Sequence, residues 1–72
     1  MNCTAYIEKD AESGFYIGYI PGLTGAHTCA ASIDELHDKL REVILLCLEE
    51  MGAEEIKNLP VFAGISQIEV AV

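Results

Sequence analysis

The sequence predicts an α+β fold with the element order β-β-β-α-β, and three observations predict it. Residues 3–10, 15–21 and 26–31 are short strand-like runs, a long amphipathic stripe follows from Leu36 to Met51, and the chain closes on an alternating run, ISQIEVAV. A right-handed crossover then lays the helix on one face of the sheet. It also brings the last strand beside, and parallel to, the first, so the expected sheet is four-stranded and mixed. Seventy-two residues are expected to form one domain, 1–72.

Each element has its own signal. CTAYIEKD alternates, with Cys3, Ala5 and Ile7 on one face and Thr4, Tyr6 and Glu8 on the other. AESG is turn chemistry, so FYIGYIP returns as the second strand of a hairpin. Pro21 has no N–H to give a ladder and ends that strand. GLTG reads as a turn or bulge, and AHTCAA as a short third strand. Ser32 with Glu35 three residues on makes a capping box. Leu36, Leu40, Val43, Ile44, Cys47 and Met51 then share one helical stripe. Gly52 is expected just past the helix C-terminus, and AEEIKNLPVFAG is a connection with room for a short extra turn. In the last run, Ile68, Val70 and Val72 lie on one face.

Composition points outward from this small body. Hydrophobic residues make up 51% of the chain, and mean hydropathy is +0.30. A domain of this size buries only about 60% of its unfolded surface, so some apolar area is expected to face another chain. Twelve acidic residues against four basic ones give a net charge of −8. Phosphate backbones repel such a surface, which argues against direct nucleic-acid binding, whereas a basic protein partner is attracted. No secretory signal opens the chain. The uncharged stretch from Ser13 to Ile33 is broken by glycines and Pro21, unlike a membrane helix. Cys3, Cys29 and Cys47 are too few and too scattered for a disulfide framework and suit reduced thiols in a cytoplasm.

Two places carry more apolar surface than one helix can cover. In strand two, Phe15, Ile17 and Tyr19 alternate with Tyr16 and Ile20, so both faces are apolar. In the helix, Leu45 and Leu46 fall roughly 140° and 120° from the centre of the stripe at 100° per residue. Leu45 and Leu46 are therefore candidate contacts between copies in a homodimer or higher oligomer. Tyr6, Tyr16 and Tyr19 are candidate anchors for a partner, since tyrosine concentrates at interfaces.

The series from Thr4 to Glu50 resembles the HicB-like antitoxins. The matching positions are Tyr6 (loosely), Glu8, Asp10, Gly14, Phe15, then Pro21, Leu23 and Gly25 as P-x-L-x-G. Ser32 and Glu35 of the helix cap and the acidic helix from Leu40 to Glu50 follow, with QIEVAV as the closing strand. The resemblance implies a partial ribonuclease-H-like fold. It also implies a non-enzymatic protein that neutralises a small, basic, HicA-like mRNA-cleaving toxin by occluding its active surface. Toxin-binding candidates are then Tyr6, Glu8, Asp10, Tyr16 and Tyr19, and no cofactor is expected. Longer antitoxins of this type add a C-terminal DNA-binding domain, which this chain is expected to lack. An orphan homo-oligomeric binding or scaffold domain without a toxin is the first alternative.

Other chemistry is weaker. Glu8, Asp10 and Asp34 are the acids available to a metal-dependent nuclease, a second alternative, but edge, turn and helix-start roles explain them more simply. His27 and Cys29 share a strand face, with His37 and Cys3 elsewhere. One H-x-C pair falls short of the four converging ligands of a zinc site, and no metal is expected. The acids around EEMGAEE, with Glu42, serve equally as a solvated face or as a surface for a basic partner.

Overall fold

The computed structural model describes residues 1–72. Strands β1 (Tyr6–Lys9), β2 (Tyr16–Tyr19) and β3 (His27–Ala30) are followed by helix α1 (Ile33–Glu49) and a short helix α2 (Ala53–Lys57). The strands form an antiparallel sheet in the order β1-β2-β3. Its register sets Ile7 opposite Gly18 and Gly18 opposite Thr28, one row among those that face the helix.

The hairpin turn is held by one carboxylate. Asp10 Oδ2 accepts from the backbone N–H of Ser13 at 2.9 Å and from its hydroxyl at 2.7 Å. The backbone closes over it, with the Asp10 N–H donating to the Phe15 carbonyl at 2.8 Å. After β2, the residues Ile20 to Ala26 fold into a tight turn in which the Ile20 N–H reaches the Ala26 carbonyl at 2.9 Å. That turn tucks Leu23 into the core beside Ile20 and Ala26.

Helix α1 starts where the cap motif predicts. Ser32 is extended, and its hydroxyl accepts from the Glu35 N–H at 3.2 Å. The Glu35 side chain meets Lys39 at 3.5 Å on the exposed surface. The helix packs on β3 and β2. Gly18 makes the close approach possible: a Cβ there would stand 2.8 Å from Leu40 Cδ1 and 3.2 Å from Leu36 Cδ2. Leu36, Leu40 and Ala30 form one buried cluster. Val43, Ile44, Cys47 and Met51 continue the predicted stripe, half-buried against Ile20, Leu23 and Ala26.

Two expectations are corrected. The sheet has three strands, all antiparallel, and residues 58–72 join no ladder, so the four-stranded mixed sheet is not formed within this chain. The chain passes through α2 and Pro60, whose ring sits where a Cβ on Gly22 would be, 2.6 Å from its Cγ. Residues 56–64 run beside the N-terminal segment and Tyr6, and beyond them Ile65, Ile68, Val70 and Val72 stay exposed, because no backbone pairing carries the chain onto the edge of β1. Gly52 also differs from expectation. Its φ of −76° is not left-handed, and it opens α2. The main helix ends instead on tight backbone bonds from Glu50 to Cys47 and from Met51 to Leu48.

Candidate functional site

Because opposed residues in an antiparallel pair point to the same face, the register sorts every strand side chain. Ile7, Lys9, Tyr16, Gly18, Thr28 and Ala30 lie on the helix side. Tyr6, Glu8, Ile17, Tyr19, His27 and Cys29 lie on the other side, which no element covers. Two rows cross this open face. Tyr6, Tyr19 and His27 form one, and Glu8, Ile17 and Cys29 form the next. Phe15 continues the alternation of Ile17 and Tyr19 just ahead of β2.

The open face is apolar, aromatic and free of cations. Phe15, Ile17 and Tyr19 are 46%, 41% and 38% exposed. The rings of Tyr6 and Tyr19 pack at 5.4 Å between centroids, tilted by 47°, which holds both in one orientation. Glu8 is the single formally charged side chain in the two rows. Three of the four basic residues are engaged elsewhere, and the fourth, Lys57, ends α2. Lys9 stands 5.4 Å from the Tyr16 ring centroid on the helix side. Lys39 donates to the Cys29 carbonyl at 3.1 Å, and Arg41 pairs with Asp38 at 3.4 Å.

Of the residues singled out from the sequence, Tyr6, Glu8 and Tyr19 come together on this surface. Tyr16 does not: it faces the helix, half-buried against Ala30, Leu36 and Leu40. Asp10 sits at the hairpin end, where the Ser13 hydroxyl and then the Ser13 backbone N–H hold its carboxyl below the usual carboxylate range. Leu45 and Leu46, at 57% and 61% exposure, project from the outer side of α1, away from the sheet. Sequence reading set Phe15 and Ile17 with Tyr19 on one face of strand two and His27 with Cys29 on one strand face, but named none of the four as a binding candidate; the β2–β3 register joins the two sets on one surface.

Chemically the surface suits binding. No three His, Cys, Asp or Glu side chains gather closely enough to hold a metal ion. All three cysteines are free. A concavity of about 620 Å³ lies between the N-terminal segment and residues 56–64 and meets the open face only at Tyr6. Its lining, which includes Ile20, Leu23, Leu59 and Phe62, contains no carboxylate and no histidine. No helix is long and apolar enough to cross a membrane.

The sequence has near relatives across its length. It is 45% identical over 67 residues to a UPF0150 protein of Thermotoga maritima, covering 93% of this chain and 87% of the relative. A UPF0150 protein of Synechocystis sp. is 44% identical over 64 residues, covering 89% and 87%. One of Archaeoglobus fulgidus is 40% identical over 70 residues, covering 97% and 96%. No family model matches the sequence, and no solved structure matches it. With identity at this level over nearly the full length of each relative, the chain belongs to the UPF0150 family.

Proposed function

We propose that this protein is a HicB-like antitoxin module, a cytoplasmic, non-enzymatic protein that binds a small basic mRNA-cleaving toxin of the HicA type and occludes its active surface. One observation carries the proposal: an uncovered sheet face of exposed Phe15, Ile17 and Tyr19, with Tyr6 and Glu8, in a chain of net charge −8. Aromatic side chains at the centre of such a surface supply most of the affinity in typical interfaces. The acidic balance steers a basic partner onto it and raises the association rate. The ordered motif series from Tyr6 to Glu50 supports the family role. In this proposal the three-stranded sheet and α1 are part of a partial ribonuclease-H-like fold.

Inhibition is then steric. A flat apolar sheet face over the toxin's catalytic surface excludes RNA without any chemistry by the antitoxin. Co-expression with the adjacent gene product, followed by size exclusion with light scattering and an RNA-cleavage assay, tests it. A stable complex that silences cleavage supports the proposal, and separate elution with cleavage intact overturns it.

The exposed pair Leu45 and Leu46 favours a second reading, a homo-oligomeric binding domain with no toxin. Burial of these leucines between copies predicts that Leu46→Glu lowers the mass measured by light scattering. An unchanged mass removes the helix contact.

A further inference from the structure

Two features on the β1 side of the molecule are unfinished. The first is a cleft of about 310 Å³ between β1 and α1, lined by Cys3, Ala5 and Ile7 on one wall and by Leu40 and Ile44 on the other, with Ile20 also in its lining and His37 and Arg41 as its polar members. It exists because α1 lies over β2 and β3 and leaves the helix side of β1 uncovered. Beside it runs the outer edge of β1, whose backbone groups have no neighbouring strand. The opposite edge has no such cleft. There Ala30 and Leu36 are fully packed, and the Lys39 ammonium takes the Cys29 carbonyl.

The second feature is a strand without a sheet. From Ile65 to Val72 the chain is unpaired, and Ile68, Val70 and Val72 are 79%, 67% and 119% exposed. These three side chains recur at every second residue, with Glu69 and Ala71 between them and Gln67 just before, the pattern of a half-buried strand. They span about 13 Å along an extended chain at 3.3 Å per residue. Cys3, Ala5 and Ile7 have the same two-residue spacing and so the same span on the wall of the cleft.

We infer that residues 65–72 of one copy lie along the outer edge of β1 in a second copy, with Ile68, Val70 and Val72 filling the cleft beneath α1, in a two-fold exchange. The occupant is a second copy because the segment leaves its own body. Pro60 is seated against Gly22, and the radius of gyration is 14.1 Å, against about 11 Å for a compact chain of this length. Every copy carries both the unfilled cleft and the unhoused strand, so a pair satisfies both at once and closes. The exchange buries a surface distinct from the open face and stands or falls independently of any toxin.

An equal mixture of ¹³C-labelled and unlabelled protein, examined by isotope-filtered nuclear Overhauser spectroscopy, tests it without any substitution. Cross-peaks between copies are expected from the Ile68, Val70 and Val72 methyls to those of Ala5, Ile7 and Ile44. The same cross-peaks arising only within a copy, or none at all, would overturn the exchange. As a second measurement, the double variant Ile68→Glu/Val70→Glu should halve the particle mass in light scattering while keeping the helical circular dichroism of the wild type. A folded double variant that keeps the wild-type mass would equally overturn it.

Discussion

On the helix side of the sheet, small residues do the structural work. Gly18 and Ala30 let Leu36 and Leu40 come down onto β2 and β3, and the leucines are buried as a result. On the open side the same strands carry Tyr6, Ile17 and Tyr19, large side chains that stay partly in water. Both sets are apolar, so hydrophobicity alone does not tell stability from binding. The size of the side chain directly under the helix does: Gly18 and Ala30 make room for Leu36 and Leu40, while Tyr16 packs beside them and the open face presents anchors.

This contrast is most sharply tested by unequal mutations. Leu36→Ala should lower stability by about 2–5 kcal/mol, through lost burial and the cavity left behind. For a domain whose total is roughly 4–11 kcal/mol, denaturant unfolding should show most of the transition lost. On the other face, Tyr19→Ala should cost only about 1 kcal/mol of stability, through the lost ring pair with Tyr6, yet weaken partner binding by about 2 kcal/mol, roughly 30-fold. Calorimetric titration beside a melting curve reads both. If Tyr19→Ala destabilised the fold as much as Leu36→Ala, the distinction between the faces would fail.

The smallest effect concerns the hairpin that sets the register of both faces. Asp10 is held ionised below its ordinary pKa by the Ser13 hydroxyl and backbone N–H. A depressed folded-state pKa contributes stability at pH above the unfolded value, about 3.9, and that contribution disappears as pH falls through the lower folded value. Ser13→Ala removes the hydroxyl and should move the Asp10 titration, followed by NMR, back toward the ordinary carboxylate range. An unmoved titration would mean that the hydroxyl does not hold the carboxylate in solution.

Much of this was legible because it is local. The period-two alternation of β1 and β2, the Ser32 cap and the Leu36 to Met51 stripe depend only on near neighbours, and each appears where its pattern predicts. Chain-level choices were harder. ISQIEVAV shows which side chains share a face of a strand, but nothing in eight residues says which edge, or whose, it joins. Tyr16 was grouped with Tyr6 and Tyr19 by residue type, although its odd-even position in β2 sets it on the helix side. His27 and Cys29 joined the open face only once the β2–β3 register aligned them with Tyr19 and Ile17. Gly52 carries a helix-ending residue type, yet the last turn closes on its own backbone and leaves Gly52 to start α2.

The central claim is that the open face, and not the packed one, meets a basic toxin. Titrating RNA cleavage by the co-expressed partner with wild-type protein and with Ile17→Glu tests it most directly, since Ile17 is 41% exposed at the middle of that face. Wild type should abolish cleavage near equimolar ratio, while Ile17→Glu, which loses some stability by facing Glu8 across the strands and is assayed where its circular dichroism shows it folded, should leave cleavage largely intact. Equal inhibition by the two would contradict the claim and move the interface off this face.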